Sequence, residues 1–348
     1  MSEDRAILHS DLNAFYASVE IMLNPSLRGK AVAVCGSSAD RHGIVLAKSE
    51  KAKKAGIKTG MVNWEARQKC PDLLIVPPQY DQYLKYSKLT RAVYQRYTDQ
   101  VEPYGMDECW LDVTASQAVR GHAVVMAQRI RSAVREELGL TVSIGVSFNK
   151  IFAKLGSDMK KPDAVTVITR ADYREKVWPL PVGELFYVGR ATGRKLGRFG
   201  VRTIGDLAQL PLEFLRASLG KNGEMLWLFA NGKDQSRVMV NDFYSLVKSV
   251  GHGTTCISDL ENNEEIWKIM LYLTQDVGHR LRVHEMMAKG VQISVKDNTL
   301  ACRQFQMQLS MATQSPMEIA LAAYELFINN YDWHTHVRAI TVRAIYLE

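Results

Sequence analysis

Apolar and polar positions alternate with two different periods along residues 1–168, which predicts short buried strands separated by amphipathic helices. Residues 6–8 form an apolar run typical of a buried strand, and residues 13–22 follow the helical period. The same pattern predicts strands at 31–35, 44–47 and 141–147, and helices at 49–55, 80–97, 119–138 and 149–159. Strands and helices in this order indicate an α+β domain with a ferredoxin-like core.

The rest of the chain has two further patterns. Residues 247–348 predict a β-α-β-β-α-β order: a strand from 247, a helix at 262–284, strands at 289–297 and 301–310, a helix at 316–330 and a strand at 337–346. Residues 188–207 resemble a helix-hairpin-helix, in which Gly189 would allow a tight turn whose amides face a phosphate. A plain helical packing module is the alternative. At 348 residues the protein is expected to be multidomain.

Two adjacent carboxylates, Asp107 and Glu108, follow Gly105 and precede the apolar residues 109–111. Neighbouring like charges raise each other's pKa, and a bound cation removes that cost. Carboxylate oxygens are the ligands that Mg²⁺ prefers. A solvated turn with two surface acids is the alternative, but the apolar flank places this pair at the edge of a core.

A third carboxylate, Asp11, is expected to close the first predicted strand. An acid at the end of a strand is a common position for a metal ligand. Helix capping is the alternative role for Asp11, and Asn13 could equally perform it. Each signal alone is weak, so the argument rests on the two motifs together.

Three segments carry a resemblance to a known family: residues 9–20, residues 104–112, and residues 143–154 with Lys160, Lys161 and Pro162. In order and spacing they resemble the Y-family translesion DNA polymerases, which include the bacterial polymerase IV and polymerase V types. The resemblance implies a palm at 1–14 and 80–168, fingers at 15–79, a helix-hairpin-helix thumb at 169–236, a linker at 237–246 and a little finger at 247–348.

The resemblance also implies the functional residues. Two Mg²⁺ ions would be held by Asp11, Asp107, Glu108 and the carbonyl of Leu12. Phe15, Tyr16, Lys48, Lys53 and Lys161 would contact the nucleotide. DNA-binding residues would be Gly189, Arg190, Arg194, Lys248, Lys296, Arg338 and Arg343.

The predicted fingers depart from the pattern of the polymerase IV type. That type has Thr, Tyr and Arg where this chain has Ala47, Glu50 and Lys53. The sequence at 47–49 resembles the polymerase V catalytic subunit instead. The expected grip on the triphosphate is therefore altered, with Lys53 as the best candidate and Lys48 as an additional one. A solvated basic face is the alternative for these lysines. Surface charge is likewise the alternative for three lysines further along the chain, Lys150, Lys154 and Lys161.

Charge and composition limit the setting of the protein. The net charge of +7 permits a polyanionic partner. Residues 247–348 contain nine Lys and Arg against eleven Asp and Glu, a charge of −2, which leaves +9 for residues 1–246. Five cysteines without a CxxC pair fit a reducing cytoplasm.

The expected partners follow from the resemblance: primer–template DNA and deoxynucleoside triphosphates, with the protein a cytoplasmic monomer and no membrane contact. No signal peptide and no apolar run long enough for a bilayer are found. A sliding clamp is a partner that the family allows, although the sequence as far as Glu348 contains no clamp-binding tail.

Two other functions are compatible with parts of this pattern. A palm-type nucleotide cyclase shares the ferredoxin-like core and two-metal chemistry, but it needs no thumb and no DNA-clamping domain. A non-catalytic DNA-binding scaffold would have no reason to keep three acids. Primer extension beside a cyclic-nucleotide assay distinguishes the three.

Overall fold

The computed structural model describes residues 4–37, 43–240 and 246–348. The chain divides into two units: Met1–Val34, Val45–Thr59 and Glu65–Phe243 form the first, and Cys35–Ile44, Gly60–Trp64 and Tyr244–Glu348 form the second. The predicted linker, residues 237–246, includes 241–245, which lie outside the described residues. In the described part of the chain, no helix is both long and apolar enough to cross a membrane.

The elements predicted up to residue 159 occur in the predicted order. Up to residue 167 the elements are β1 (Ile7–Leu12), α1 (Phe15–Leu23), β2 (Val32–Cys35), β3 (Val45–Lys48), α2 (Glu50–Lys54), α3 (Asn63–Lys69), β4 (Leu74–Val76), α4 (Tyr80–Gln95), β5 (Val101–Tyr104), β6 (Glu108–Asp112), α5 (Gln117–Arg120), α6 (Ala123–Leu138), β7 (Val142–Ser147), α7 (Lys150–Met159) and β8 (Val165–Val167). Of these, α3, β4 and β8 were not predicted. One sheet has five strands in the order β5-β6-β1-β7-β8, and another has three in the order β3-β2-β4.

Strand β1 lies at the centre of the five-stranded sheet. It is antiparallel to β6 and β7, and all six of its residues are buried. Successive side chains of a strand point to opposite faces of the sheet. Leu8 and Leu12 pack in the core with α4 and α6, whereas Ile7 packs with Ala153 of α7. His9 and Asp11 have the same parity as Ile7 and therefore lie on the α7 side.

A glycine lets α7 approach the sheet closely. Gly145 of β7 pairs with His9. A Cβ at position 145 would come within 1.9 Å of the carbonyl oxygen of Ala153. Any side chain there would push α7 away from the strand that carries Asp11.

The helical segment that follows contains α8 (Tyr173–Val177), α9 (Arg190–Arg198), α10 (Ile204–Gln209), α11 (Leu212–Leu219) and α12 (Lys221–Ala230). Its apolar residues share one core with Phe148 and Phe152 of the α7 region. Thr203 and Asp206 form a capping box that starts α10. These helices confirm the predicted change of character after residue 168.

The C-terminal domain contains β9 (Ser249–Leu260), α13 (Asn263–Val283), β10 (Ala288–Asp297), β11 (Cys302–Thr313), α14 (Pro316–Asn330) and β12 (Val337–Leu347). The predicted β-α-β-β-α-β order is confirmed. The strands form an antiparallel sheet in the order β11-β10-β12-β9. Both helices bury their apolar faces in the same core as the buried positions of the strands.

Two local predictions are wrong, and one alternative is not observed. Asp11 does not close the first strand, because β1 continues in register through Leu12. The helix predicted at 119–138 is broken at Gly121, whose φ of 89° is in the left-handed region, and α6 begins only at Ala123. The alternative of a helix cap by Asn13 is not observed, because Ala14 occupies the N-cap position of α1, with no side-chain cap.

Candidate active site

The register of the strands brings two of the three predicted acids, Asp11 and Glu108, together. Asp11 of β1 lies directly opposite Glu108 of β6. Asp107 precedes Glu108 at the end of the β5–β6 turn, and its carbonyl accepts a hydrogen bond from the Leu12 amide at 2.9 Å. The β1–β6 pairing therefore fixes the backbone of all three acids at one end of the sheet.

A cationic side chain and a polar side chain lie next to the Glu108 carboxylate. Lys154 of α7 donates to its Oε2 at 2.5 Å, and Nε2 of the buried His9 lies 3.3 Å from the same atom. Burial opposes ionisation of Glu108, but the neighbouring His9 ring and the hydrogen bond from Lys154 lower its pKa to about 2. The Nδ1 of His9 is fixed by Ser157 at 2.8 Å. Glu108 is therefore ionised at neutral pH.

Asp11 has the opposite electrostatic character. Its Oδ2 pairs with the Lys161 ammonium at 2.7 Å, and the same ammonium lies 2.8 Å from Asp158. Burial raises the pKa of Asp11 to about 6, although Lys161 acts against this rise. Burial and the neighbouring Glu108 also raise the pKa of Asp107. Two of the three acids thus hold protons more tightly than ordinary carboxyl groups.

The donor set fits a divalent cation of the hard type. Among residues 4–37, 43–240 and 246–348, no three acidic, histidine or cysteine side chains converge closely enough to hold an ion. Instead, lysines 161 and 154 balance the charges of Asp11 and Glu108. All candidate ligands are nevertheless oxygens, and the acids with raised pKa gain most from a bound cation.

The raised pKa of Asp11 predicts that any binding of Mg²⁺ by this carboxylate depends on pH. Above about pH 6 this carboxyl is ionised, and the affinity for Mg²⁺ should not change with pH. As pH falls through 6, a proton competes for the same oxygens, so affinity falls by up to about tenfold per unit. Calorimetric Mg²⁺ titrations between pH 5 and 7.5 measure this effect. Asp11→Asn should bind more weakly and remove the step contributed by Asp11; an unchanged step would contradict the assignment.

A cleft of about 270 Å³ opens beside these acids. Its lining includes Asp11, Leu12, Asn13, Ala14, Phe15, Leu46, Ala47, Lys48, Glu50, Lys53, Thr59, Asp107 and Lys161. Most of the predicted metal and nucleotide residues thus share one cavity. Glu108 and Tyr16 are not part of the lining.

The lysines of the predicted fingers have partners inside this cleft. Lys48 donates to Thr59 Oγ1 at 3.0 Å, and burial lowers its pKa. The Lys53 ammonium lies 3.9 Å from Glu50, with both side chains exposed. Glu50 therefore competes with an incoming phosphate for Lys53, which is a consequence of the carboxylate at the position where the polymerase IV type has Tyr.

Tyr16 lies in an aromatic cluster next to the cleft. Its ring stacks on that of Tyr83, with centroids 4.2 Å apart and planes within 7°. Tyr83 in turn donates to the buried Glu20 at 2.5 Å, and the Tyr16 hydroxyl points to the sulfur of Met106 at 3.6 Å. Phe15 is buried, with 3% of its surface exposed. The Tyr16 ring is therefore packed against the Tyr83 ring and has little rotational freedom.

The predicted DNA-binding residues of the helical segment are exposed. Arg190 and Arg194 lie one turn apart on α9, whose N-cap is Gly189. The tight-turn argument for Gly189 is wrong: its φ is −78°, and the left-handed residue near this helix is Tyr187, with φ 67°. The exposed amide end of α9 and the arginines remain available to a phosphate.

The C-terminal sheet has an open face without acids at its centre. Arg343 donates to Gln292 at 2.9 Å, and Gln292 donates to Gln306 at 3.1 Å, forming a polar row across β12, β10 and β11. Lys296 lies four residues after Gln292 on β10 and therefore on the same face of the sheet. Lys248 precedes β9, and Arg338 lies where the pairing of β12 shifts register, so strand alternation does not define their faces.

Several functional neighbours escaped prediction. Lys150 and Lys154 were open to interpretation as surface charge, but Lys150 is buried and pairs with Glu102 at 2.6 Å. His9, Thr59 and Tyr83 carried no signal beyond their residue type. Their partners are distant in sequence, as in the His9–Ser157 pair, separated by 148 positions.

Comparison with families of known proteins gives three matches. Residues 10–158 match the impB/mucB/samB family, residues 247–348 match the C-terminal domain of that family, and residues 184–234 match the thumb domain of DNA polymerase-iota. A Y-family DNA polymerase chimera of Dbh and Dpo4 has a similar structure, with a TM-score of 0.86, 23% identity and 98% coverage of both chains. This structure supports the fold.

Curated relatives are more similar in sequence. The chain is 52% identical to the DNA polymerase IV of Acetivibrio thermocellus over 98% of this chain and 85% of the relative. It is 42% identical to the DNA polymerase IV of Moorella thermoacetica, over 85% and 74% of the two chains. DNA polymerase IV 1 of Bacillus subtilis is 40% identical, over 84% and 70%.

The chain therefore belongs to the impB/mucB/samB family and has the Y-family polymerase fold of palm, thumb and little finger. Within that class it is a translesion DNA polymerase of the polymerase IV type, a DNA-directed DNA polymerase. The two alternative functions considered from the sequence, a nucleotide cyclase and a non-catalytic DNA-binding scaffold, are therefore not needed to explain it. The short pattern at 47–49 suggested polymerase V, whereas these relatives are named polymerase IV, so the segment did not indicate the subfamily.

Proposed function

We propose that Asp11, Asp107 and Glu108, with the carbonyl of Leu12, hold two Mg²⁺ ions during nucleotide addition. The observation that carries this proposal is the register that places Asp11 opposite Glu108, beside a cleft lined by Lys48, Lys53 and Lys161. Held by these residues, the two Mg²⁺ ions would supply a lower pKa for the primer 3′-hydroxyl and charge stabilisation for the pyrophosphate leaving group. The protein supplies orientation and fixed charge.

The lysines of the cleft position the triphosphate. Lys161 lies on the palm side of the cleft, and its ammonium donates a hydrogen bond to Asp11 Oδ2 at 2.7 Å. Phosphate oxygens compete with Asp11 for this ammonium, which frees Asp11 to bind a cation. Lys48 and Lys53 face the same cavity from the fingers at 15–79. Base pairing selects the nucleotide, and the protein grips phosphates.

The DNA contacts form a second part of the proposal. The palm is assigned to 1–14 and 80–168, the thumb to 169–236 and the little finger to 247–348, joined by a linker at 237–246. The amide end of α9 at Gly189, with Arg190 and Arg194, would hold one phosphate of the duplex. The acid-free face around Arg343 and Lys296 would hold others, with Lys248 and Arg338 adding charge at the sheet ends.

The net charge of −2 on the little finger is compatible with this role. Within its four strands, acids occur only at Asp259 and Asp297. Asp297 accepts hydrogen bonds from the Thr299 and Ala301 amides in the turn after β10. The remaining acids belong to helices, turns and the chain end, so net charge does not describe the open face of the sheet.

The setting of the enzyme completes the proposal. Its partners are primer–template DNA and deoxynucleoside triphosphates, and because its curated relatives are bacterial DNA polymerases we place it in the cytoplasm. It acts on DNA as a monomer. A sliding clamp is retained as a partner on the basis of the family alone, and no residue of this chain is assigned to it.

The contacts proposed for the triphosphate predict unequal effects of two lysines. Lys161→Ala should lower kcat/KM for the incoming nucleotide more than Lys53→Ala does, because the Lys161 side chain is only 26% exposed beside the acids, whereas that of Lys53 is 54% exposed and its charge is more strongly screened by water. Losing a charge-assisted hydrogen bond costs about 1.5–3 kcal/mol, or roughly ten- to a hundredfold. Single-nucleotide incorporation kinetics on a primed template measures both values and also tests the proposed function.

The matched control is Lys51→Ala on the same helix as Lys53. Lys51 donates to the Gly29 carbonyl at 2.9 Å and does not line the cleft. It should behave as the unmodified enzyme. A silent Lys53→Ala together with a severe Lys48→Ala would instead make Lys48 the fingers ligand, and a silent Lys161→Ala would remove the palm-side contact from the proposal.

A further inference from the structure

The turn that presents Lys161 has a strained backbone two residues later. Asp163 has φ 53°, in the left-handed region, which residues other than glycine adopt only in a minority of cases. Such conformations persist only where surrounding groups hold them. Lys161 is the palm-side cation of the cleft, so whatever holds Asp163 also fixes where the Lys161 chain begins.

Asn13 holds this turn from the side of the acids. Its Oδ1 accepts a hydrogen bond from the Asp163 amide at 2.9 Å, and its Nδ2 donates to Ser143 Oγ at 3.0 Å. Its backbone amide donates to the Thr141 carbonyl at 2.9 Å. The Asn13 side chain is buried, with 6% of its surface exposed, and its amide is bonded at both ends. It links the turn directly to the strands that flank and carry Asp11.

Two arginines of α6 hold the turn from another side. Arg131 Nη1 donates to the Asp163 carbonyl at 2.6 Å, and Arg135 Nη1 donates to its carboxylate at 3.2 Å. Neither arginine lines the cleft. Asp163 is thus fixed at its amide, its carbonyl and its side chain by three residues from two elements of the palm.

We propose that Asn13 and Arg131 are positioning residues for the incoming nucleotide, which act through the turn at 161–163 by setting the reach of Lys161. The inference rests on the proposed triphosphate role of Lys161. Because both ends of the Asn13 amide are already bonded to the protein, its effect passes through Asp163 and not through a new contact with the substrate. Arg131 does the same from outside the cavity.

Steady-state single-nucleotide kinetics on Asn13→Ala, Arg131→Ala and Lys161→Ala tests this inference. Losing the side-chain hydrogen bond to Asp163 predicts a rise in KM for the nucleotide of about three- to tenfold in each of the first two variants, with kcat retained within about twofold. Arg129→Ala is the matched control: Arg129 is on α6, donates to the Arg120 carbonyl at 3.2 Å and should leave KM unchanged.

Double variants separate positioning from direct contact. If Asn13 and Arg131 act through Lys161, adding Lys161→Ala to either one should give the KM of Lys161→Ala alone. Full additivity would overturn the inference, as would an Asn13→Ala variant that loses kcat while Arg131→Ala behaves like Arg129→Ala. If Asn13→Ala does not fold, the Arg131 pair decides the question by itself.

The same series distinguishes this inference from the proposal beneath it. A severe Lys161→Ala combined with silent Asn13→Ala and Arg131→Ala overturns the positioning role alone. A silent Lys161→Ala overturns the triphosphate role of Lys161, and the positioning role with it.

Discussion

Replacing Asp107 by asparagine is expected to lower primer extension on the order of a thousandfold or more, because a metal ligand supplies several kcal/mol of transition-state stabilisation. Asparagine keeps the size of the side chain and removes only its charge. Binding of primer–template DNA should stay within a few-fold, since phosphate contacts elsewhere supply that affinity. Extension rates with Mg²⁺ and DNA affinities by fluorescence anisotropy measure the two quantities.

Asp112→Asn provides the matched control for this loss. Asp112 lies at the far end of the same strand, opposite Ile7, and its Oδ1 accepts hydrogen bonds from Thr114, which an asparagine oxygen can also accept. Its extension rate should be close to that of the unmodified enzyme. Substantial extension by Asp107→Asn would contradict the assignment of the acids, as would an equal loss in Asp112→Asn.

The second large effect concerns sugar selection by Tyr16. Its ring is expected to occupy the space of a ribose 2′-hydroxyl, and stacking on Tyr83 prevents it from yielding. A steric conflict of this kind costs about 1–3 kcal/mol, so Tyr16→Ala should raise the ratio of ribonucleotide to deoxynucleotide incorporation roughly 10- to 200-fold. Incorporation of the matched ribo- and deoxynucleotides opposite one template base measures the ratio.

A conservative variant separates the ring from its hydroxyl. Tyr16→Phe keeps the stack on Tyr83 and loses only the contact with the Met106 sulfur. Discrimination should remain close to that of the unmodified enzyme. An unchanged ratio in Tyr16→Ala would place the gate elsewhere, and a large change in Tyr16→Phe would assign it to the hydroxyl.

Periodicity predicted most elements because their apolar positions repeat within one segment. The little-finger order followed from alternation along its strands, and the helix of residues 80–97 is present as α4. Boundaries failed where tertiary pairing decided them. β1 continues through Asp11 because β7 offers a partner for each residue as far as Leu12, and no local pattern in residues 6–12 contains that information.

The candidate site was predicted in its residue types and not in its electrostatics. The motifs named the three acids, but their different environments arise from residues far away in sequence. Lys154 and His9 keep Glu108 charged, whereas burial raises the pKa of Asp11. At Gly189 the residue type itself was misleading. Glycine is associated with tight turns, but this glycine has an ordinary negative φ.

The most direct test of the account is the position of the metal ions in a ternary complex. Crystals of the protein with a dideoxy-terminated primer on its template, a matched deoxynucleoside triphosphate and Mn²⁺ allow each ion to be located by anomalous scattering. The account predicts two ions about 3.5–4 Å apart among Asp11, Asp107, Glu108 and the phosphates, with Lys161 on the triphosphate. Ions bound by the triphosphate alone, with Asp11 and Glu108 still paired to Lys161 and Lys154, would contradict it.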